Sequence, residues 1–288
     1  MLEAFYATER GSLEDATING SFDLHPELVW IDLIAPSQEE QQWVFDAYER
    51  NLPTLKSLED ISSSARFYRD DDGILHISTY FLTKNKNYQV DGDTDESSHM
   101  LATVQTVAFI LHKDRLFTMR GEKLVAFRAF RARARRNDYN MDYKDPTWIL
   151  LGLLEAKLDE LADILEDIHK DLERYSTEVL NNHHRETLLD LDDMITRLAQ
   201  QEDMLGKAQL CLIDLRRVLT FLSRPRALGS HIYDADIREL SEDVRSLVEH
   251  DAFLFQKVRF LLDTTSGFIN TEQNDTIRRF SILPSMLA

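Results

Sequence analysis

The sequence lacks the features that mark most enzymes and secreted proteins. Its 288 residues include a single cysteine, Cys211, which excludes an internal disulfide bond and fits a reducing compartment. It has no glycine-rich phosphate loop and no GxSxG or HExxH motif, so no catalytic signature favours an enzyme. Its first residues lack a basic segment followed by an apolar segment, so no signal peptide is predicted.

Long apolar runs and an excess of positive charge are also absent. No apolar stretch approaches the roughly 20 residues that a membrane-spanning helix needs, so the sequence as given is expected to be soluble. The formal net charge of -18 argues against nucleic acid as a partner, because its phosphates would be repelled. One local basic cluster, within Arg128–Arg136, is interpreted as a solvated helix face paired with nearby acids.

The first half of the sequence mixes strand and helix signals. Leu28–Ile34 is a β-branched and aromatic run, which is typical of a strand buried on both faces. Ser37 and Glu40 have the spacing of a capping box, so a helix should begin there. Two hairpins are predicted, one turning at Asp70–Gly73 and the other at Lys113–Asp114. These elements together predict a mixed α/β sheet covered by helices.

Between the two hairpins, a polar loop is predicted from Lys84 to Ser98. From Asp145 the pattern changes to three long helices, because apolar residues recur there at alternating steps of four and three. The first two helices should form an antiparallel hairpin with arms of about 50 Å. The third could run from Asp236 to the end of the sequence, on the order of 80 Å. A globular domain cannot bury a helix of that length alone, so it needs copies of itself or a membrane.

The domain organisation predicted from these patterns has three parts. They are an α/β domain at 1–144, an acidic helical hairpin at 145–233, and a very long C-terminal stalk helix at 234–288. The hairpin and the stalk are rich in carboxylates, which are the hard oxygen ligands that Mg²⁺ and Ca²⁺ prefer. If identical subunits brought these faces together, a divalent cation would screen their repulsion.

Four segments resemble, in order, landmarks of the CorA-type magnesium channels: VWIDLIAPSQEE, LPTLKSLEDISSSARFY, RLFTMR and NTEQNDTIRRFS. The resemblance covers essentially the whole chain. It implies the cytosolic domain of an inner-membrane protein, in which the long helix enters the membrane as the first transmembrane segment. It also implies a homopentamer around a central pore. The final FSILPSMLA is then expected to be the start of a membrane span whose remainder is missing, together with the Gly-Met-Asn signature of the family.

The resemblance implies that the third helix lines the pore near its membrane end. Asn274 would form a polar ring that touches hydrated ion. Ile277 and Phe280 would form apolar rings that close the path by excluding water. Steps of three or four residues place Pro284 and Ala288 on the same face.

The resemblance also implies regulatory acids between neighbouring subunits. Glu239, Glu242 and Asp243 match the family's region on the third helix. The second region, after the strand that ends in YFLT, has Asn85 near the position of the expected acid. Either Asn85 supplies a carbonyl oxygen, or the ion lies elsewhere.

Asp159 and Glu160 are the alternative ligands for that regulatory ion. Mg²⁺ is expected as both the regulatory and the transported ion, with Co²⁺ as a further transported ion. The implied function is a channel that opens when cytosolic Mg²⁺ falls.

Other functions stay open from the sequence. A zinc transporter related to ZntB would share the fold, although softer ligands than one cysteine and dispersed histidines are expected there. A soluble coiled-coil scaffold is compatible with the heptads but does not explain the apolar end. An enzyme in the α/β half would need a cleft that holds an acid or base with a perturbed pKa.

Overall fold

The computed structural model describes most of the chain. The described residues are 1–16, 28–48, 53–54, 56–57, 66–85, 101–112, 114–137, 141–181, 188–225 and 227–286. They fall into two compact units, one formed by 1–161 with 210–246 and the other by 162–209 with 247–288. The three-part division of the sequence into domains stays a prediction.

The first unit is built on one seven-stranded mixed sheet. Its strands are β1 (Leu2–Ala7), β2 (Leu13–Ala16), β3 (Leu28–Ile34), β4 (Phe67–Arg69), β5 (Leu75–Asn85), β6 (Leu101–His112) and β7 (Arg115–Arg120). The spatial order is β2-β1-β3-β7-β6-β5-β4. Neighbours are antiparallel except β3 and β7, which run parallel. The predicted mixed α/β sheet is confirmed.

The centre of the sheet and the helix that follows β3 match the sequence prediction. Every residue of β3 is buried, as expected of a strand with a neighbour on each side and both faces covered. Helix α1 (Gln38–Tyr48) begins with the predicted capping box. The Glu40 amide donates to Ser37 Oγ at 3.1 Å, and the Ser37 amide donates to Glu40 Oε2 at 2.9 Å.

Both predicted hairpins are present. In the β4–β5 turn the Ile74 amide donates to Asp70 Oδ1 at 2.8 Å, and Gly73 adopts a φ of 79°. Strands β6 and β7 pair up to His112 and Arg115, while Lys113 lies outside the described residues. The predicted loop start at Lys84 is wrong by two residues. Pairing with β6 carries β5 through Asn85 and overrides the weak strand preference of lysine and asparagine.

Four further helices complete the described structure, and the three longest confirm the heptad prediction. They are α2 (Val125–Arg136), α3 (Pro146–Asn181), α4 (Leu188–Leu222) and α5 (Asp234–Met286). Proline is tolerated as the first residue of α3 because its missing N–H would have had no helical partner. Among the described residues, no helix carries an apolar stretch long enough to cross a membrane.

The basic cluster on α2 is paired with acids, as predicted. Arg133 Nη1 donates to Asp159 Oδ2 at 2.8 Å, and Arg131 and Arg135 form ion pairs with Glu3 and Asp15. These contacts tie α2 to α3 and to the edge of the sheet. These three ion pairs therefore stabilise the α/β unit, and each uses an acid of the same unit.

Two of the family-like segments, VWIDLI and RLFTMR, meet in the sheet core. Arg120 of β7 binds Asp32 of β3 through Nη2 at 2.6 Å and Nε at 3.2 Å. Thr118 Oγ1 donates to Asp32 Oδ1 at 2.7 Å and accepts from Trp30 Nε1 at 3.0 Å. Both charged side chains are fully buried, so each needs the other as a partner. These two segments therefore hold the sheet together.

A second buried polar network joins α3 and α4 to the sheet. Asp214 Oδ2 accepts hydrogen bonds from the Tyr80 amide at 2.9 Å and from Thr79 Oγ1. Lys157 Nζ donates to Thr79 Oγ1 at 2.9 Å, and Arg66 Nη1 lies 3.6 Å from Asp214 Oδ1. Asp214 thus accepts hydrogen bonds from β5 and lies within ion-pair distance of two buried cations, Arg66 at 3.6 Å and Lys157 at 3.8 Å.

Candidate metal site

The first unit contains an acid-lined cavity of about 240 Å³ between α3 and the start of α5. Its acidic lining residues are Glu155 and Asp159 of α3 and Asp236, Glu239 and Asp243 of α5. On α3 the acids are four residues apart, and on α5 they follow at steps of three and four. Each set therefore occupies one helical face, and the two faces share the cavity.

Aromatic contacts fix the start of α5 beside α3. Tyr233, one residue before α5, donates its hydroxyl to Asp145 Oδ2 just before α3. Its ring packs edge-on against Trp148, with centroids 5.0 Å apart. Because both ends of this contact adjoin a helix terminus, it sets which turns of α3 and α5 face each other.

One lining residue of the cavity, Gly152, packs closely against Phe130 of α2. A Cβ placed on Gly152 would lie 2.4 Å from Phe130 Cε2, closer than real Cβ contacts. Gly152 therefore allows α3 to approach α2 closely. The apolar lining includes Leu151, Leu158 and Leu240, so the cavity combines carboxylates with apolar side chains.

Burial and other acids of the cavity raise the pKa of Glu155. Burial raises the pKa of Glu155, and the neighbouring Asp159, Glu239 and Asp236 raise it further, while Arg133 opposes them. An arrangement of this kind favours a bound proton or cation, because like charges in a partly buried space destabilise each other. Carboxylate oxygens are the ligands that Mg²⁺ and Ca²⁺ prefer.

The structure brings together three of the predicted regulatory residues, Asp159, Glu239 and Asp243. Glu242 is exposed on α5 and is not among the residues that line the cavity. Glu160 is half-buried beside Asp159 on α3 and does not line the cavity either.

Asn85 lies at the end of β5, where its backbone pairs with Leu101, and its side chain is outside the described part of the chain. Sequence reasoning missed Glu155 and Asp236. The signal was present, since these acids lie one helical turn before Asp159 and Glu239 on the same faces.

The carboxylates of the cavity do not form a complete chelating set. Within the described part of the chain, no group of three or more histidine, cysteine or acidic side chains is arranged to hold a metal ion. An ion at the cavity would therefore take most of its ligands from water or from another molecule.

The predicted pore residues lie at the end of α5. Asn274 is exposed, and the helical backbone continues through Ile277, Phe280 and Pro284 to Met286. The side chains of residues 275–286 and the whole of residue 288, Ala288, are outside the described structure.

The sequence is similar to known proteins of one family. The sequence profile described as CorA-like Mg²⁺ transporter protein matches residues 26–287. The magnesium transport protein CorA of Mannheimia succiniciproducens is 38% identical over 258 residues, which is 90% of this chain and 76% of that protein. The protein of the same name from Escherichia coli K12 is 40% identical over 256 residues, covering 88% of this chain and 75% of its relative.

Two solved structures share the fold at low sequence identity. The complete CorA magnesium transporter from Methanocaldococcus jannaschii matches with a TM-score of 0.73 at 15% identity, covering 100% of this chain and 83% of that one. The ZntB cytoplasmic domain from Vibrio parahaemolyticus matches with a TM-score of 0.57 at 13% identity, covering 94% and 98%.

Proposed function

This chain belongs to the CorA-like Mg²⁺ transporter family, and from that membership and the acid-lined cavity we propose that it regulates a magnesium channel. In this proposal the chain forms the cytosolic regulatory and pore-stalk part of a homopentamer in a cell membrane. The transported ion is Mg²⁺, with Co²⁺ as a further one. The acidic row on α5 that faces α3 is the observation that carries the proposal.

The cavity suits a weakly held, hydrated ion. Mg²⁺ gives up its water reluctantly and usually binds through only one or two carboxylates. It therefore does not need a chelating group of three side chains from one chain. In a ring of subunits, a neighbour's surface would supply the remaining contacts, and the ion would offset the repulsion between Glu239 and Asp243, while Asp159 is already paired with Arg133.

Weak sites of this kind can still control a channel steeply. At an ion concentration tenfold above its dissociation constant, each occupied site favours the bound arrangement by about 1.4 kcal/mol. Five independent sites sum to roughly 7 kcal/mol, which exceeds the roughly 5.5 kcal/mol that moves a two-state equilibrium from 1:99 to 99:1. Bound Mg²⁺ therefore holds the closed state, and the channel opens when cytosolic Mg²⁺ falls.

Protection from proteolysis tests the regulatory site. We expect millimolar Mg²⁺ to slow cleavage of this chain, and the paired change Glu239→Gln with Asp243→Asn to weaken that protection. Glu242→Gln is the matched control, because it also removes an acid from α5 but not from the cavity lining. Equal protection of the paired variant and the wild type would place the regulatory ion elsewhere.

The pore residues belong to the same proposal. Asn274 contacts hydrated ion, and Ile277 and Phe280 form apolar rings that close the path by excluding water. Pro284 and Ala288 line the pore on the same helical face. Ile277→Asp or Phe280→Asp in the membrane-embedded channel should hydrate this constriction and raise Mg²⁺ flux into liposomes at high internal Mg²⁺. If flux stays fully inhibited in both variants, these side chains do not face the pore.

Zinc transport on the same fold is the alternative. The likeness to the ZntB cytoplasmic domain concerns the fold alone, at 13% identity. Liposome flux assays with Mg²⁺ and Zn²⁺ in parallel separate the two transporters.

A further inference from the structure

A pair of histidines joins α3 to α5 in the second unit. His169 Nδ1 lies 3.3 Å from His250 Nε2. Their ring centroids are 5.6 Å apart, with the planes inclined by 50°. The two nitrogens therefore point at each other from different helices, and both rings retain partial access to solvent.

The spacing of the two nitrogens matches that of a shared metal ion. Two metal–imidazole bonds of about 2.0–2.1 Å at a tetrahedral angle hold their nitrogens about 3.3 Å apart. The observed separation has this value, so an ion beside the line that joins the two nitrogens would bind both after each ring rotates by about 35°, without movement of either helix.

A carboxylate stands beside the other nitrogen of His169. Glu173, one turn along α3, has Oε1 at 3.6 Å from His169 Nε2. Lys257 of α5 donates to the same oxygen, and this hydrogen bond lowers the pKa of Glu173. The carboxylate favours the proton on Nε2 of His169 and so leaves the Nδ1 lone pair directed at His250. Histidine ligands of metals usually donate their second ring N–H to a carboxylate, a backbone carbonyl or water.

The hydrogen bond between the two rings can be exchanged for two bonds to an ion. With the proton of His169 on Nε2, its Nδ1 is an acceptor, so without an ion His250 Nε2–H donates to it. When an ion binds, that proton moves to Nδ1 of His250 and both facing nitrogens become ligands.

We propose that His169 and His250 bind one divalent transition-metal ion between α3 and α5. Imidazole suits Zn²⁺, Co²⁺, Ni²⁺ and Cu²⁺, whereas Mg²⁺ prefers oxygen ligands. Water completes the coordination, since the described residues offer no third protein ligand arranged with the pair. The site is thus distinct in chemistry from the carboxylate cavity. It does not depend on the proposed channel function, and it would fasten α3 to α5 within the second unit.

Titration of this chain with Zn²⁺ in excess Mg²⁺ tests the site. We expect one equivalent of bound Zn²⁺ to be lost, or weakened more than about tenfold, in His169→Gln and in His250→Gln. Glu173→Gln should weaken the same equivalent by about tenfold, because it removes the group that orients the His169 ring. His231→Gln is the matched control, since His231 is exposed and contacts a carboxylate, Asp234, on its own segment.

Thermal unfolding gives a second readout. An ion that bridges two helices stabilises the folded state, so Zn²⁺ should raise the Tm of the wild type and of His231→Gln but not of the two bridging variants. Unchanged Zn²⁺ stoichiometry and affinity in both His169→Gln and His250→Gln would overturn the proposal. So would displacement of this Zn²⁺ by millimolar Mg²⁺, because that result indicates an oxygen-rich site.

Discussion

At the scale of single residues, the buried Asp214 is the acid on which several buried polar groups depend. It accepts from Thr79 and Tyr80 and lies near two buried cations, Lys157 and Arg66. Burial lowers the pKa of Lys157, and the negative charge of Asp214 opposes that shift. The lysine therefore carries a desolvation cost that its carboxylate partner partly offsets.

The two partners of this network should respond differently to substitution. Asp214→Ala leaves two buried cations without a carboxylate, so we expect a loss of about 3–5 kcal/mol in the free energy of unfolding. Lys157→Met removes the desolvated charge, keeps much of its volume and leaves Arg66 near Asp214, so a change under about 1.5 kcal/mol is expected. Urea unfolding of both variants measures this difference. Equal losses would mean that Asp214 and Lys157 act only as an inseparable pair.

At the scale of helices and strands, local signals predicted most of the fold. The continuous apolar run of Leu28–Ile34 predicts β3, because strands buried on both faces have such runs. The capping box in its first turn predicts α1. The heptads predict α3, α4 and α5, because the apolar residues of each buried helix face recur along the sequence at steps of three and four. Each of these signals lies within the segment that it specifies.

What the sequence could not predict depends on pairs of distant segments. The parallel pairing of β3 with β7 brings Asp32 and Arg120 together across 88 residues, and no local pattern marks it. The cavity has the same origin, because its acids form one site only where α3 and α5 present matching faces. Glu155 and Asp236 share the spacing of the predicted ligands, but only the packing of α3 and α5 shows that these two faces meet. The need for glycine at position 152 likewise follows only from its contact with Phe130, which leaves no room for a Cβ.

At the scale of the whole molecule, charge decides how the chain associates. Each copy carries a formal net charge of -18, and the proposed ring brings acidic faces of neighbouring copies together. The repulsion opposes assembly unless cations lie between the subunits. A divalent ion bound at the Glu239 and Asp243 face acts locally, whereas a simple salt acts on all exposed charges by screening.

Assembly of this chain should therefore depend on Mg²⁺ itself and not on ionic strength alone. By light scattering, we expect monomer or mixed species in chelator and a shift towards the pentamer in millimolar Mg²⁺, about 168 kDa for five copies of 33.5 kDa. Sodium chloride at matched ionic strength is the control for screening and should produce a smaller shift, since it leaves the carboxylate faces without a bridging ion. The paired variant Glu239→Gln with Asp243→Asn should assemble with less dependence on Mg²⁺, because it removes the site and the local repulsion of these two carboxylates. A stable dimer whose mass is the same in chelator and in Mg²⁺ would contradict the proposed ring.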